Sequence, residues 1–167
     1  KIPEDFTGDM EIVTDNGSVA VEQGGVLGKV LVNTTNGKIR LSHIHAEALE
    51  AQTSNGNIQA QDLESGEIRL HTSNARIQIS KSKVSDTVLL RSSNGMIETF
   101  GLEGKNISIR TSNAPIRGTL KGNVQEYDIY SKTSNGPSSL PDDSKRGKDR
   151  KLDVKTSNAA IALAFEE

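Results

Sequence analysis

Apolar residues recur along this chain in fixed columns, each at a constant offset from a repeated phrase: Thr or Ser, any residue, Asn, then Gly or Ala. The asparagines are Asn16, Asn36, Asn55, Asn74, Asn94, Asn113, Asn135 and Asn158, so successive copies lie 20, 19, 19, 20, 19, 22 and 23 residues apart. Six residues before Asn stand Met10, Val30, Leu49, Ile68, Val88, Ile107, Ile129 and Leu152; four before stand Ile12, Val32, Ala51, Leu70, Leu90, Ile109, Ser131 and Val154. Alternation with period two marks strands, and a strand-rich repeat near 20 residues marks a solenoid, whose coils bury their apolar faces only by stacking.

Three residues beyond Asn a second apolar column opens (Val19, Ile39, Ile58, Ile77, Ile97, Ile116, Ile161), and a third side is readable from Ile44, Leu63 and Leu102 with Val26, Ala46 and Val84. Three short strands per turn, with parallel crossovers that are overwhelmingly right-handed, predict an all-β fold. The expected form is a single-stranded, right-handed parallel β-helix of about eight coils of 19–23 residues. The small residue after each Asn suits a tight corner. Carried through that corner, the alternation points both the Thr/Ser column and the Asn column inward, which predicts a buried ladder of stacked amides. On that reading Asn94→Leu costs about 1–3 kcal/mol through the amides it orphans.

The ends read differently. Residues 1–9, with Phe6, are expected to cap the first coil, and the solenoid domain then runs over 10–167. In coil seven Pro137, Ser138, Ser139 and Pro141 replace the second strand, and a charged loop insertion occupies 137–151. The last coil closes the rod on Leu163 and Phe165, with Glu166 and Glu167 guarding its open edge.

Composition narrows the class. The 167 residues form one domain, none of them cysteine, which excludes a disulfide framework, thiol catalysis and a Cys-ligated metal. No apolar run reaches the roughly 20 residues that span a bilayer. A start at Lys1 reads as an excised or processed segment.

Repeated Thr-Ser-Asn-Gly with an apolar residue two further on, as in Thr53-Ser54-Asn55-Gly56-Asn57-Ile58, resembles the adhesin family of β-solenoid domains in bacterial cell-envelope proteins. The opening Ile2-Pro3-Glu4-Asp5-Phe6-Thr7-Gly8 also resembles its fungal relatives. The resemblance covers nearly the whole chain. It implies a cell-surface or secreted β-solenoid with an adhesin-like structural or interaction role, says little about activity, and brings no catalytic motif.

Outside the stack, the column three before Asn runs Val13, Asn33, Gln52, His71, Arg91, Arg110, Lys132 and Lys155, turning basic along the rod, with Ser93, Ser112 and Ser134 beside it. Residues 105–155 hold 11 basic and 6 acidic side chains while the whole chain carries −2, so the rod is electrically polar. A solvated face is the plain reading. Stacked like charges also invite an anionic glycan or envelope polymer, a protein partner is a further expectation, and axial head-to-tail association of rods a third. A second constellation stacks His43 and His45 over Asp62 and Glu64, and these over Lys81 and Lys83. Two imidazoles and two carboxylates form a weak candidate metal site, with cross-strand charge pairing as the simpler account.

No cofactor is expected. Catalytic β-helices need paired carboxylates in a walled groove, whereas the outward acids Glu98 and Glu103 are scattered and six of the eight coils have minimal loops, so an enzyme is disfavoured. Ice binding needs outward Thr arrays, and nucleic-acid binding needs a strongly basic chain with stacking aromatics, of which this one has five Phe and Tyr and no Trp.

Overall fold

A computed structural model describes residues 6–22, 25–141 and 147–167. Among the described residues the chain is all β apart from one 3-10 turn at Val124–Glu126. Fourteen strands follow in order: β1 Met10–Thr14, β2 Val19–Glu22, β3 Val26–Thr34, β4 Ile39–Ser42, β5 His45–Thr53, β6 Ile58–Gln61, β7 Glu64–Thr72, β8 Ile77–Ser80, β9 Lys83–Ser92, β10 Ile97–Arg110, β11 Ile116–Lys121, β12 Tyr127–Thr133, β13 Arg150–Thr156 and β14 Ile161–Glu166. Every pairing among them is parallel, giving two ladders that wind into a β-solenoid, and β10 turns a corner to serve both.

Each coil contributes two strands rather than the three expected. The third side and the first are one long strand with a slip in its inward phase, as in β5, where Ala46 and then Leu49 and Ala51 are buried. Coil one carries an extra residue before this strand, so Leu27 and not Val26 aligns with Ala46; Leu27 is buried and Val26 lies exposed. In β9 the extra residue of that coil falls at Ser85–Asp86, where the register to both neighbours shifts. The single core follows the apolar columns from Met10 to Leu163.

The Asn ladder exists, but it lies outside. Each Asn amide donates to the Asn oxygen of the rung beneath, Asn36 to Asn16 at 2.7 Å, Asn55 to Asn36 at 2.8 Å, and so on, yet all eight side chains are solvent-exposed. The alternation ends at the Thr/Ser column because the strand ends there. The N–H of the next residue and of Asn both turn onto one carbonyl below, as Ser54 and Asn55 do onto Thr35 O at 3.1 and 3.0 Å. The buried polar ladder is therefore Thr34, Thr53, Thr72, Ser92, Thr111 and Thr156. Thr53 Oγ1 accepts from Gly56 N–H at 3.1 Å and donates to Gly37 O of the coil below at 3.3 Å. The corner glycine is needed where that carbonyl comes close: a Cβ on Gly56 would stand 1.8 Å from Gly37 O.

The last two coils stack out of chain order. β13 pairs with β10 on one side and β12 on the other, and β14 lies against β11 with Ser138 bridging to Ile161 beyond it. Coil seven thus skips one level, and coil eight returns to fill it. The Asn ladder confirms the order, Asn158 donating to Asn113 at 2.7 Å and Asn135 to Asn158 at 2.8 Å. Consequently the distal edge belongs to β12, and Glu166 lies beside coil six, its carbonyl accepting from Gly122 N–H at 2.9 Å, instead of guarding the end. Phe6 packs against the core; residues 1–5 of the expected cap and 142–146 of the expected loop lie outside the described residues.

At the opposite corner His43, Asp62, Lys81 and Gly101 share the left-handed region, with φ of 53°, 50°, 47° and 65°. A non-glycine residue there carries roughly 1–2 kcal/mol of strain. Lys81→Gly is expected to raise stability by about 1 kcal/mol after the entropic penalty of glycine, read as a higher urea midpoint.

Candidate functional site: the basic column

The outer face of the long-strand ladder presents the predicted column in unbroken register: Val13, Asn33, Gln52, His71, Arg91, Arg110, Lys155, Lys132. Coil reordering exchanges its last two members. Successive rungs are about 4.8 Å apart, so the four cations at the basic end form a linear array. Its spacing is set by backbone pairing rather than by side-chain choice.

The cations are not equivalent. Arg110 Nη2 meets Asp153 Oδ2 at 2.6 Å, and Lys155 Nζ lies 3.3 Å from the other oxygen of the same carboxylate. Lys155 also sits 4.7 Å from the centre of the half-exposed Tyr130 ring. Asp153 therefore ties down the middle of the array. Arg91 and Lys132 flank it, exposed, with no ion pair among the described residues. Their hydroxyl neighbours Ser93, Ser112 and Ser134 are exposed beside them, while the backbones of those serines hold the corner. Asp153 was invisible as a partner in the sequence, where 43 residues separate it from Arg110. Only the reordering of the last coils brings the two together.

The His–carboxylate–Lys grid also forms. His43 and Asp62 occupy the left-handed corner, and His45, Glu64 and Lys83 are in register on adjacent long strands. His43 Nε2 lies 3.6 Å from Asp62 Oδ2 and its Nδ1 lies 3.7 Å from Glu22, while His45 Nδ1 lies 3.8 Å from Glu64. The two rows run side by side as separate chains of contacts. Among the described residues no three His, Asp or Glu side chains converge in a metal-holding group. The geometry is that of imidazole–carboxylate contacts between adjacent coils on a solvent-exposed surface.

Glu98 carries a signal that the sequence hid. Its side chain is 5% exposed, on the outer face of the short-strand ladder, and is covered by arginines from the coils on either side of its own. Arg117 Nη2 reaches Oε1 at 2.7 Å, and Arg76 Nε stands 3.4 Å from Oε2. This clasp joins three coils and covers the outer face of the acid. A separate groove of about 860 Å³ runs past the exposed Phe100, with Lys81, Lys83 and Lys121 on its walls and Glu103 and Glu166 among them.

A family model described as Toastrack DUF4097 matches residues 1–163. Neither a curated protein nor a solved structure matches the chain. The matching model is Toastrack, and the likeness to adhesins stays a resemblance read from the sequence.

Proposed function

Because this chain belongs to the Toastrack DUF4097 family, we propose that it works as a rigid interaction module whose basic column holds anionic polymer chains, such as acidic glycans. A Toastrack β-solenoid fits a non-enzymatic structural or interaction role. The polymer assignment rests on one observation: Arg91, Arg110, Lys155 and Lys132 stack on consecutive rungs of a single ladder. A polyanion laid along these four rungs would meet a cation at each and relieve the repulsion between like neighbours. Each contact is exposed and weak, so retention would come from their number. The serines beside the column add hydroxyl donors for sugar oxygens.

Arg110 is committed to Asp153, so reversing it would set two carboxylates together and disturb the fold. The informative variant is Arg91→Glu with Lys132→Glu, which changes only exposed side chains. Wild-type protein is expected to be retained on immobilised polyuronate and dextran sulfate at low salt, to elute as salt screens the contacts, and to ignore neutral dextran. The double variant is expected to lose at least tenfold in affinity. Equal retention of the two proteins would refute the column as the site, and failure of the wild type to bind at low salt would refute polyanion binding.

A further inference from the structure

The hydrogen bonds that each Thr/Ser-x-Asn phrase makes between rungs all point the same way along the rod, whereas those of the strand that follows run the other way, as from Ile39 N–H to Asn57 O at 2.9 Å. At each of the seven junctions between rungs, the N–H of the residue before Asn and that of Asn both donate to one carbonyl of the rung below. The lowest pair is Thr35 and Asn36 onto Asp15 O, at 3.1 and 2.9 Å, and the highest is Ser134 and Asn135 onto Ser157 O, at 3.2 and 2.9 Å. The Asn amides donate in the same sense, from Asn36 on Asn16 up to Asn135 on Asn158. So do the Thr/Ser hydroxyls, from Thr34 onto Gly17 O at 3.3 Å up to Thr133 onto Ala159 O at 2.9 Å. Aligned amide and hydroxyl chains polarise one another.

The two ends of this column are therefore unlike and complementary. At the first rung Asp15 N–H, Asn16 N–H, the Asn16 amide and the Thr14 hydroxyl have no acceptor below them among the described residues. At the last rung Ser134 O, Asn135 Oδ1 and Gly136 O have no donor above them. These corners are solvent-exposed, and the outer edges of β1 and β12 beside them pair with no described strand. The charges lean the same way: residues 6–22 hold Asp9, Glu11, Asp15 and Glu22 and no Lys or Arg, whereas at the far end Lys132, Lys148, Arg150, Lys151 and Lys155 stand among Glu126, Asp128, Asp149 and Asp153.

We propose that the first corner of one copy docks on the last corner of a second copy, head to tail, so that the hydrogen-bond column continues from chain to chain. The occupant of each end is this same chain. In register, Asn16 of one copy sits on Asn135 of the next, Thr14 reaches Gly136 O, and Ser134 O receives both corner N–H groups. Val13, 67% exposed, falls on Lys132. Head-to-head contact would set donors against donors and tail-to-tail contact acceptors against acceptors, so only the heterologous arrangement is satisfied. Such contacts propagate into open linear filaments.

The test uses two variants, each blocking one end with a cation: Val13→Lys, which opposes Lys132 of the neighbour, and Asn135→Lys, which removes the acceptor while still donating to Asn158. Sedimentation velocity at low salt is expected to show wild-type protein growing with concentration into a ladder of linear oligomers. Each variant alone is expected to remain monomeric, and an equimolar mixture to form a dimer and stop, since one open end of each kind remains. The mixed dimer itself proves that both variants are folded. A wild type that stays monomeric at all concentrations would overturn the proposal, as would a dimer formed by either variant alone or a mixture that fails to associate.

Discussion

Thr53→Val destabilises the rod by about 2–4 kcal/mol, and Asn94→Leu by about 1 kcal/mol or less, when the two are compared by urea unfolding. The contrast follows from which polar ladder is dry. Thr53 is 2% exposed, and its hydroxyl is the acceptor for Gly56 N–H and the donor to Gly37 O, both in buried positions. Valine keeps the shape and orphans both groups, each at about 1–3 kcal/mol. The Asn94 amide bonds Asn74 at 2.9 Å and Asn113 at 2.8 Å, but in water, which replaces either partner. Thr53→Ser should lose only a methyl's worth of packing, because Ser92 already fills this role one coil pair higher. Equal effects from Thr53→Val and Asn94→Leu would place both ladders in the same environment and contradict the corner geometry.

The solenoid was legible because its cause is periodic. Columns such as Ile39, Ile58, Ile77 and Ile97 repeat at one offset, and strand alternation places them inside. What was not legible lies where alternation stops. The inward phase was carried two residues too far, from Thr53 to Asn55, because nothing in the phrase itself marks the last strand residue. The pairing of two N–H groups on one carbonyl turns Asn outward, and it appears only once coils are stacked. The same limit hid Asp153. Offsets order residues within a coil, whereas the partner above or below is set by which coil lies there. Chain order gives the wrong neighbour for Lys155 and Lys132. The irregularity of coil seven, with Pro137 and Pro141 in place of a full strand and a long excursion before Arg150, was the available hint that the coil does not stack on coil six. The grid of His43, His45, Asp62 and Glu64 was readable for the opposite reason, since it falls among coils that do stack in chain order.

Tyr127→Ala is expected to cost about 3–5 kcal/mol, the range for deleting a buried aromatic side chain, with the loss confined to the distal rungs. Coil seven leaves a level empty for a segment that comes later in the chain, and Tyr127 ties both sides of that level. The side chain is fully buried; its ring centre lies 5.3 Å from that of Phe165 in β14, and its hydroxyl lies 3.2 Å from both Gly104 O and Lys121 O. Arg150 Nη1 of β13 donates to the same hydroxyl at 3.3 Å. One residue thus contacts β10, β11, β13 and β14 from the first position of β12. Solenoid stability is close to a sum of nearest-neighbour interfaces, so amide exchange should accelerate in β12, β13 and β14 while β3 to β8 keep their protection. Uniform acceleration along the rod would show a single cooperative unit instead. Ionisation gives a second reading of the same contact. Burial holds the Tyr127 phenol above its ordinary value, opposed by the Arg150 hydrogen bond. As pH rises past about 10 the unfolded chain releases this proton first. The folded state therefore loses stability from there upward, and Tyr127→Phe should remove that part of the alkaline fall. An unchanged alkaline profile in Tyr127→Phe would mean that the phenol is open to solvent and that some other contact holds the displaced coil in place.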